Sequence, residues 1–194
     1  MQRLFSPWRL EYVSSHNPRG KGCVFCRAAR RRSNPDPLVV HRGRHNFVIL
    51  NKYPYSNGHL MIVPYAHLDT PAASTADSLS EMMLLAVRCE TALRRLYRPT
   101  GINLGMNLGR SAGAGIAGHY HLHVVPRWDG DTNFMTVVHE TRVIPESLRT
   151  TSRRLRPLLA ESKRAAAGGP APARRRVRAR RVRPAVRAAR RSVR

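Results

Sequence analysis

Acidic residues and cysteines are scarce in this chain, and long apolar runs are absent. Its 194 residues include 11 Asp and Glu residues, 35 Lys and Arg residues and three cysteines. An odd cysteine count that includes a Cys-x-x-Cys pair argues against a disulfide framework and favours a reducing compartment, where the pair is free to bind metal. No apolar run approaches the length of a membrane-spanning helix, and the residues after Met1 lack the apolar core of a signal peptide. We therefore expect a cytoplasmic protein with no membrane partner.

Positive charge is abundant and unevenly distributed. The formal net charge is +24, of which residues 165–194 supply +11 through eleven Arg and no acidic residue. A basic surface favours polyanions such as nucleotides, nucleic acid or acidic lipids. Residues 165–194 consist almost entirely of Ala, Arg, Pro and Val, cannot form a core and are predicted to be disordered. They are either a solubilising extension or a segment that binds nucleic acid or ribosomes without sequence preference.

The part of the chain before this tail, residues 1–164, is long enough for one domain with a hydrophobic core. Short apolar segments bounded by turn residues predict strands at 39–41, 47–50, 59–63, 102–108, 119–125 and 134–139. An apolar stripe of helical period predicts a helix over 78–97, begun by a capping box of Ser78 and Glu81. A second helix is expected over 146–163, interrupted at Pro157. Many strands in no regular βαβ order indicate an α+β fold with an antiparallel sheet.

The most informative segment is 119–125, which contains three histidines at alternate positions. On a strand, alternate residues share a face, so His119, His121 and His123 would project from one side and Tyr120 and its alternate neighbours from the core side. Three adjacent imidazoles are costly to bury without partners. The segment could also be three surface histidines or a plain metal site, but a row of histidines on one strand face favours a reactive site.

The His-φ-His-φ-His-φ-φ pattern of 119–125, where φ is apolar, resembles the signature of the histidine-triad superfamily. Segments 50–64 and 103–109 are similar to its nucleoside-binding strands and to the strand before its phosphate loop, and 125–134 is most similar to bacterial diadenosine polyphosphate phosphorylases and hydrolases. The resemblance implies a catalytic domain over 1–155, a helix end or linker over 156–164 and a separate tail. It further implies a five-stranded antiparallel sheet with one main helix, and a homodimer.

The resemblance also assigns roles by position. His121 would be the nucleophile that attacks an α-phosphate and forms a nucleotidyl-histidine intermediate, and His123 would contact the phosphate oxygens. The remaining expected substrate-binding residues are Asn51 and His59 near the ribose and phosphate, Asn107 beside the phosphates, and Arg110, Ser111, Gly113 and Gly115 in a phosphate-binding loop. Residue 116 is Ile, where some members carry a serine, so the acid that protonates the leaving group is left open.

The resemblance implies a structural zinc site as well. Some members pair a Cys-x-x-Cys motif with two histidines, which here would be Cys23, Cys26, His67 and His119, in a zinc-binding segment of about 1–30. The alternative is two partly buried thiols and an unrelated His67. Residues 113–118 match G-x-G-x-x-G, but a histidine strand instead of a helix is predicted to follow, so no dinucleotide fold and no organic cofactor are expected.

Three functions remain open from the sequence. The first is cleavage of dinucleoside polyphosphates by phosphorolysis or hydrolysis. The second is removal of adenylate from another adduct, such as a phosphoramidate or a 5′-adenylated nucleic acid, which the arginine-rich tail would suit. The third is a nucleotide-binding or nucleic-acid-associated regulator without catalysis, against which the intact histidine pattern argues.

Overall fold

The computed structural model describes residues 22–30, 36–131 and 145–165. These ranges leave out the strand predicted at 134–139, nearly all of the arginine-rich tail, and residues 1–20, whose apolar side chains we expect from the sequence to cover an edge of the core. The helices are α1 (Val24–Arg30), α2 (Ala76–Tyr97) and α3 (Leu148–Ala165), with a 3-10 turn at Pro71–Ala73. The strands are β1 (Val39–Arg42), β2 (Asn46–Leu50), β3 (Leu60–Pro64), β4 (Gly101–Gly105) and β5 (Leu122–Arg127). Within the described residues, no helix combines the length and apolar character needed to cross a membrane.

The five strands form one sheet in the order β1-β2-β3-β5-β4, with every neighbouring pair antiparallel. The expected α+β fold with a five-stranded antiparallel sheet is thereby confirmed. Strand β5 lies between β3 and β4, so its residues are flanked on both sides. The pairing sets His123 opposite Met61 of β3 and Gly105 of β4. The last triad histidine is therefore fixed within the sheet, between two paired strands.

Each face of the sheet has its own apolar cluster. The main cluster lies between the sheet and helices α2 and α3, and it includes Tyr120, Leu122 and Val124. The second cluster packs α1 against the opposite face; its buried members are Phe25, Ala28, Val39, Phe47, Ile49, Met61 and Val63. Burial on both faces explains why β3, and β2 after Asn46, are apolar instead of alternating. The three histidines alternate with main-cluster residues, as the sequence predicted.

The triad strand differs from the prediction at both ends, since β5 begins at Leu122 and continues through Pro126. Before it, the Tyr120 N–H donates to the Leu68 carbonyl at 2.7 Å, so this stretch pairs with a loop. Pro126 is tolerated because the pairing with β3 has already ended at Val124, so no ladder hydrogen bond to β3 is lost. The first two histidines therefore stand just outside the regular sheet.

Helix α2 begins at Ala76, two residues before the predicted start, and its N-cap is Thr75, whose side chain accepts the Ser78 N–H. The predicted capping box of Ser78 and Glu81 is wrong, because Glu81 lies a turn too far along the helix to reach the cap. Its carboxylate instead accepts the backbone N–H groups of the β1–β2 turn, from Arg44, His45 and Asn46, at 2.6–2.8 Å. Glu81 thus ties the turn to the helix.

Helix α3 runs without interruption through Pro157, contrary to the predicted break. The Pro157 position is exposed, whereas Leu155 and Leu159 are fully buried in the main cluster. Ser152 and Arg156 also donate to the Pro37 carbonyl ahead of β1. This packing holds the helix together despite the missing backbone N–H. Segment 156–164, expected as a helix end or linker, is helical throughout and contributes to the core.

Candidate active site and metal centre

Three histidines converge where the start of β3 meets the start of β5. The ring centroids of His59 and His123 are 5.1 Å apart, and those of His121 and His123 are 4.7 Å apart. His59 and His121 are buried, and His123 is partly exposed. Gly58, before His59, has φ +80°, and a Cβ on it would meet the Leu93 side chain at 2.9 Å. Glycine is therefore required at the turn that delivers His59 to the cluster.

Hydrogen bonds fix which ring nitrogens of His59 and His123 carry protons. The Tyr55 backbone N–H donates to His59 Nδ1 at 3.1 Å, so the proton of the neutral ring lies on Nε2. His59 Nε2 is 2.9 Å from His123 Nδ1, which must accept. Burial, with the neighbouring histidines, lowers the pKa of His59 to about 3 and that of His123 to about 4, so both are neutral near pH 7. His123 therefore presents Nε2–H as a donor.

His121 has the opposite arrangement of proton and lone pair. Its Nδ1 lies 3.0 Å from the carbonyl oxygen of His119, which can only accept, so Nδ1 carries the proton. Burial lowers the pKa of His121 as well, so the ring is neutral and Nε2 keeps its lone pair. A nucleophilic nitrogen therefore lies beside the hydrogen-bond donor of His123. Such a pair suits attack on an electrophile that gains negative charge during the reaction.

Two other expected substrate-binding residues, Asn51 and Asn107, are located relative to the histidines through their backbones. Asn51 pairs through its N–H with the His59 carbonyl at 3.0 Å, which puts it next to the cluster, but its side-chain oxygen accepts the Tyr53 N–H. The last residue of β4, Gly105, pairs with His123, and Asn107 comes two residues later in the chain. Their contacts with a nucleotide stay predictions.

The glycine-rich turn after β4 differs from the expected phosphate cradle. The Gly113 N–H donates to the Arg110 carbonyl at 2.9 Å, and the Ala114 N–H donates to Gly109 at 3.2 Å. These two N–H groups close the turn, so in this conformation Gly113 does not offer its N–H to a phosphate. Arg110 and Ser111 are exposed, and Gly115 is half-buried. Their roles stay predictions.

A second cluster joins α1 to the beginning of the triad. One ligand atom from each of Cys23, Cys26, His67 and His119 lies within 4.8 Å of all the others. His119 Nδ1 is 3.3 Å from Cys23 Sγ, 3.7 Å from Cys26 Sγ and 3.2 Å from His67 Nδ1. Tetrahedral zinc with ordinary Zn–N and Zn–S bonds requires about 3.3 Å between two nitrogens and about 3.6 Å between nitrogen and sulfur. The spacing therefore fits one tetrahedral metal ion.

The surroundings of this cluster also suit a metal ion. His119 Nε2 lies 3.0 Å from the Pro64 carbonyl and must donate to it, which leaves the Nδ1 lone pair directed at the cysteines. Burial raises the pKa of the Cys23 thiol, but the hydrogen bond and charge of the His119 ring in its protonated form, together with backbone hydrogen bonds, outweigh this and lower the pKa to about 6. Burial and the adjacent Cys23 raise the pKa of Cys26. The sequence-predicted set of four ligands is thus assembled from three separate segments.

Two residues at the site were missed by sequence reasoning. Tyr55 sets the His59 tautomer through its backbone, and its ring stacks on His59 with centroids 5.0 Å apart. Phe25 lies between the two cysteines and contacts the rings of His119 and His121. A backbone donor leaves no sequence signal, and an apolar residue in a Cys-x-x-Cys segment is most simply explained as core.

The fold, the cluster of His59, His121 and His123, and the adjoining metal cluster together define a histidine-triad protein. A family model described as "HIT domain" matches residues 32–130, and the chain belongs to this family. It is 38% identical over 161 residues to "AP-4-A phosphorylase" of Mycobacterium tuberculosis, covering 80% of this chain and 83% of that protein. It is 28% identical over 145 residues to "Protein hit" of Bacillus subtilis, covering 73% of this chain and 97% of that one.

Solved structures agree with this assignment. A zinc-bound histidine triad family protein from Mycobacterium smegmatis superposes with a TM-score of 0.60 and 27% identity, over 74% of this chain and 97% of that one. A hypothetical histidine triad nucleotide-binding protein from Sulfolobus tokodaii superposes with a TM-score of 0.57 and 27% identity, over 74% and 95% of the two chains.

Proposed function

We propose that this protein cleaves dinucleoside polyphosphates at an α-phosphate, with His121 as the nucleophile and inorganic phosphate as the final acceptor. The observation that carries the proposal is the unprotonated Nε2 of His121 beside the N–H donor of His123. The basic chain favours a polyphosphate substrate. A nucleotide polyphosphate supplies the electrophilic phosphorus and the developing negative charge that this pair of imidazoles suits.

The reaction proceeds in two displacements. In the first, the His121 Nε2 lone pair attacks the α-phosphorus, the bond from phosphorus to the bridging oxygen breaks, and the remaining nucleoside polyphosphate leaves. His123 donates its Nε2–H to a phosphoryl oxygen and stabilises the added charge. In the second, an oxygen of inorganic phosphate attacks the same phosphorus, the phosphorus–nitrogen bond breaks, and a nucleoside diphosphate is released. His121 returns to its starting neutral form.

Inorganic phosphate is preferred to water as the acceptor because the 38% identical relative is named a phosphorylase. The test is to incubate the protein with diadenosine tetraphosphate, with and without inorganic phosphate, and to separate the products. We expect ADP and ATP in equal amounts, formed only when phosphate is present. AMP and ATP formed without phosphate would show a hydrolase. No turnover in either condition would contradict the proposed substrate and direct the assay to adenylated adducts.

We propose that the metal at Cys23, Cys26, His67 and His119 is zinc and that its role is structural. Four protein ligands close a tetrahedral zinc site, so the ion supplies cross-linking of the chain. The zinc-bound structure of the M. smegmatis relative supports this choice. The ligands themselves hold α1 against the sheet and fix the orientation of the His119 ring through its bond to Pro64.

We also propose that the homodimer implied by the histidine-triad resemblance forms through α2 and β4. Strand β4 is at one edge of the sheet in the described residues. Leu104 is opposite Val124, a main-cluster residue, and so faces the same side of the sheet as α2. Leu104 is 46% exposed, and the α2 residues Leu84 and Val87 are 65% and 58% exposed. An exposed apolar surface beside an open strand edge suits a second copy of the same surface.

Placing a charge in this surface is expected to separate the dimer. The Leu84→Glu and Val87→Glu variants would bury an unpaired carboxylate at the interface, which is strongly unfavourable. Light scattering after size exclusion should then give the mass of one chain, against two for the wild type. Ala160→Glu, which adds the same charge at an exposed position of α3, should stay dimeric. A wild-type monomer, or an unchanged dimer in both α2 variants, would contradict the proposed interface.

A further inference from the structure

Phe25 connects the metal cluster with the proposed nucleophile. It lies at the start of α1 between the two cysteines, is only 2% exposed and belongs to the second apolar cluster. Its ring meets the His119 ring edge-on, with centroids 5.4 Å apart and an interplanar angle of 77°. It meets the His121 ring at 4.9 Å and 57°. One aromatic ring therefore touches both a metal-cluster histidine and the histidine that carries the free lone pair.

The His121 ring is held by two contacts that differ in kind. The hydrogen bond from Nδ1 to the His119 carbonyl fixes one edge of the ring, but a single hydrogen bond still permits the plane to tilt about it. The His121 ring also contacts the tilted ring of Phe25, which restricts that movement. His123 covers another side, with its ring at 69° to that of His121. Close packing of rigid rings is what defines a side-chain orientation in a protein interior.

We propose that Phe25 is a positioning residue for His121: its ring, anchored between the two metal-cluster cysteines, holds the imidazole plane so that the Nε2 lone pair points at the phosphorus. The inference rests on the proposed function of His121 as nucleophile. Phe25 makes no contact with substrate in this scheme and acts only through the His121 ring. Its contribution should appear in the chemical step, because displacement of reacting groups by a fraction of an ångström costs rate and leaves binding unchanged.

The chain offers a matched control in Phe47. This residue is fully buried in the same apolar cluster, but its ring stacks on Tyr65 with centroids 5.3 Å apart, away from the histidines. Phe25→Leu and Phe47→Leu remove the same atoms from the same cluster. A Phe25→Met variant, which has nearly the volume of leucine in a more adaptable, unbranched side chain, is made in parallel in case the leucine variant folds poorly.

The experiment compares these variants in kcat, KM and metal content, together with NMR of the histidine rings. We expect kcat for diadenosine tetraphosphate to fall on the order of tenfold in Phe25→Leu and Phe25→Met, with KM unchanged and about one zinc per chain retained. The Nδ1 proton of His121 should exchange with solvent faster in both. Phe47→Leu should keep kcat and proton exchange close to the wild type.

Two different results would contradict this inference, and each points to a different error. If both Phe25 variants match Phe47→Leu in kcat and in His121 proton exchange, while His121→Ala is inactive, the positioning role is wrong and the proposed function stands. If His121→Ala retains full activity, the proposed function itself is wrong, and the inference falls with it.

Discussion

Replacing His121 with Ala is expected to abolish the cleavage of diadenosine tetraphosphate, with kcat falling by at least about 10⁴-fold. The variant loses the only nitrogen in the proposed scheme that forms a bond to phosphorus, so the covalent route is closed. Folding should be preserved, because the His121 side chain donates one hydrogen bond and otherwise packs against Phe25 and His123. The measurements are initial rates of nucleotide release and a thermal melt of each protein.

A matched control is His45→Ala, which removes a half-buried histidine from the β1–β2 turn, at the opposite end of the β2–β3 pair from His59. The backbone N–H of residue 45 still reaches Glu81 in this variant, so the turn should persist. We expect its activity to stay within about twofold of the wild type, as for surface substitutions away from a site. Turnover by His121→Ala equal to that of His45→Ala would refute the nucleophile assignment.

Removal of both metal-cluster cysteines is expected to cost the protein its zinc and much of its stability. In the Cys23→Ala, Cys26→Ala double variant, two of four ligands are lost, and a two-histidine remnant does not form a closed zinc site. Zinc should fall from about one per chain to nearly none. The thermal midpoint should fall by roughly 5–10 °C, since 1 kcal/mol corresponds to about 2–4 °C in a domain of this size. Atomic absorption and calorimetry are the measurements.

Cys89→Ala is the control for this prediction. Cys89 is fully buried in the main cluster on α2, away from the metal cluster, so its loss removes a thiol without touching a ligand. This variant should keep its zinc and lose only the packing contribution of one small side chain. A double variant that binds zinc like the wild type would show that the four residues do not hold the ion. A Cys89 variant that loses zinc would show that metal content merely follows stability.

The strands and the main helix could be predicted because their signals are local. Apolar periodicity located α2 and all five described strands to within a few residues, and alternation placed His119, His121 and His123 opposite Tyr120. The starts and ends were less accurate, because they depend on partners elsewhere in the chain. Glu81 has the spacing of a capping residue in the sequence, but its carboxylate accepts hydrogen bonds from the backbone of the β1–β2 turn. Pro157 resembled a break, but packing of the flanking leucines holds the helix.

In the candidate site, too, some features could be predicted from the sequence and others could not. The triad was recognised from its residue pattern, the metal-cluster residues were implied by the family resemblance, and the structure brings each set together in space. The positions of the protons on the histidine rings could not be predicted from the sequence. They depend on the Tyr55 backbone N–H and on the His119 and Pro64 carbonyls, which every sequence contains and no pattern marks. The turn closed by Gly113 is a further example, because a glycine-rich sequence permits many conformations.

The sequence by itself indicated the fold class and the family resemblance, and through that resemblance it implied the triad histidines and the four residues of the metal cluster. Only the tertiary structure decided that His121 keeps its lone pair on Nε2, that His123 presents a donor, and that Phe25 lies against the nucleophile. These properties arise from directional hydrogen bonds and ring contacts between residues far apart in sequence. Such contacts exist only after the chain has folded and water has been excluded from the site.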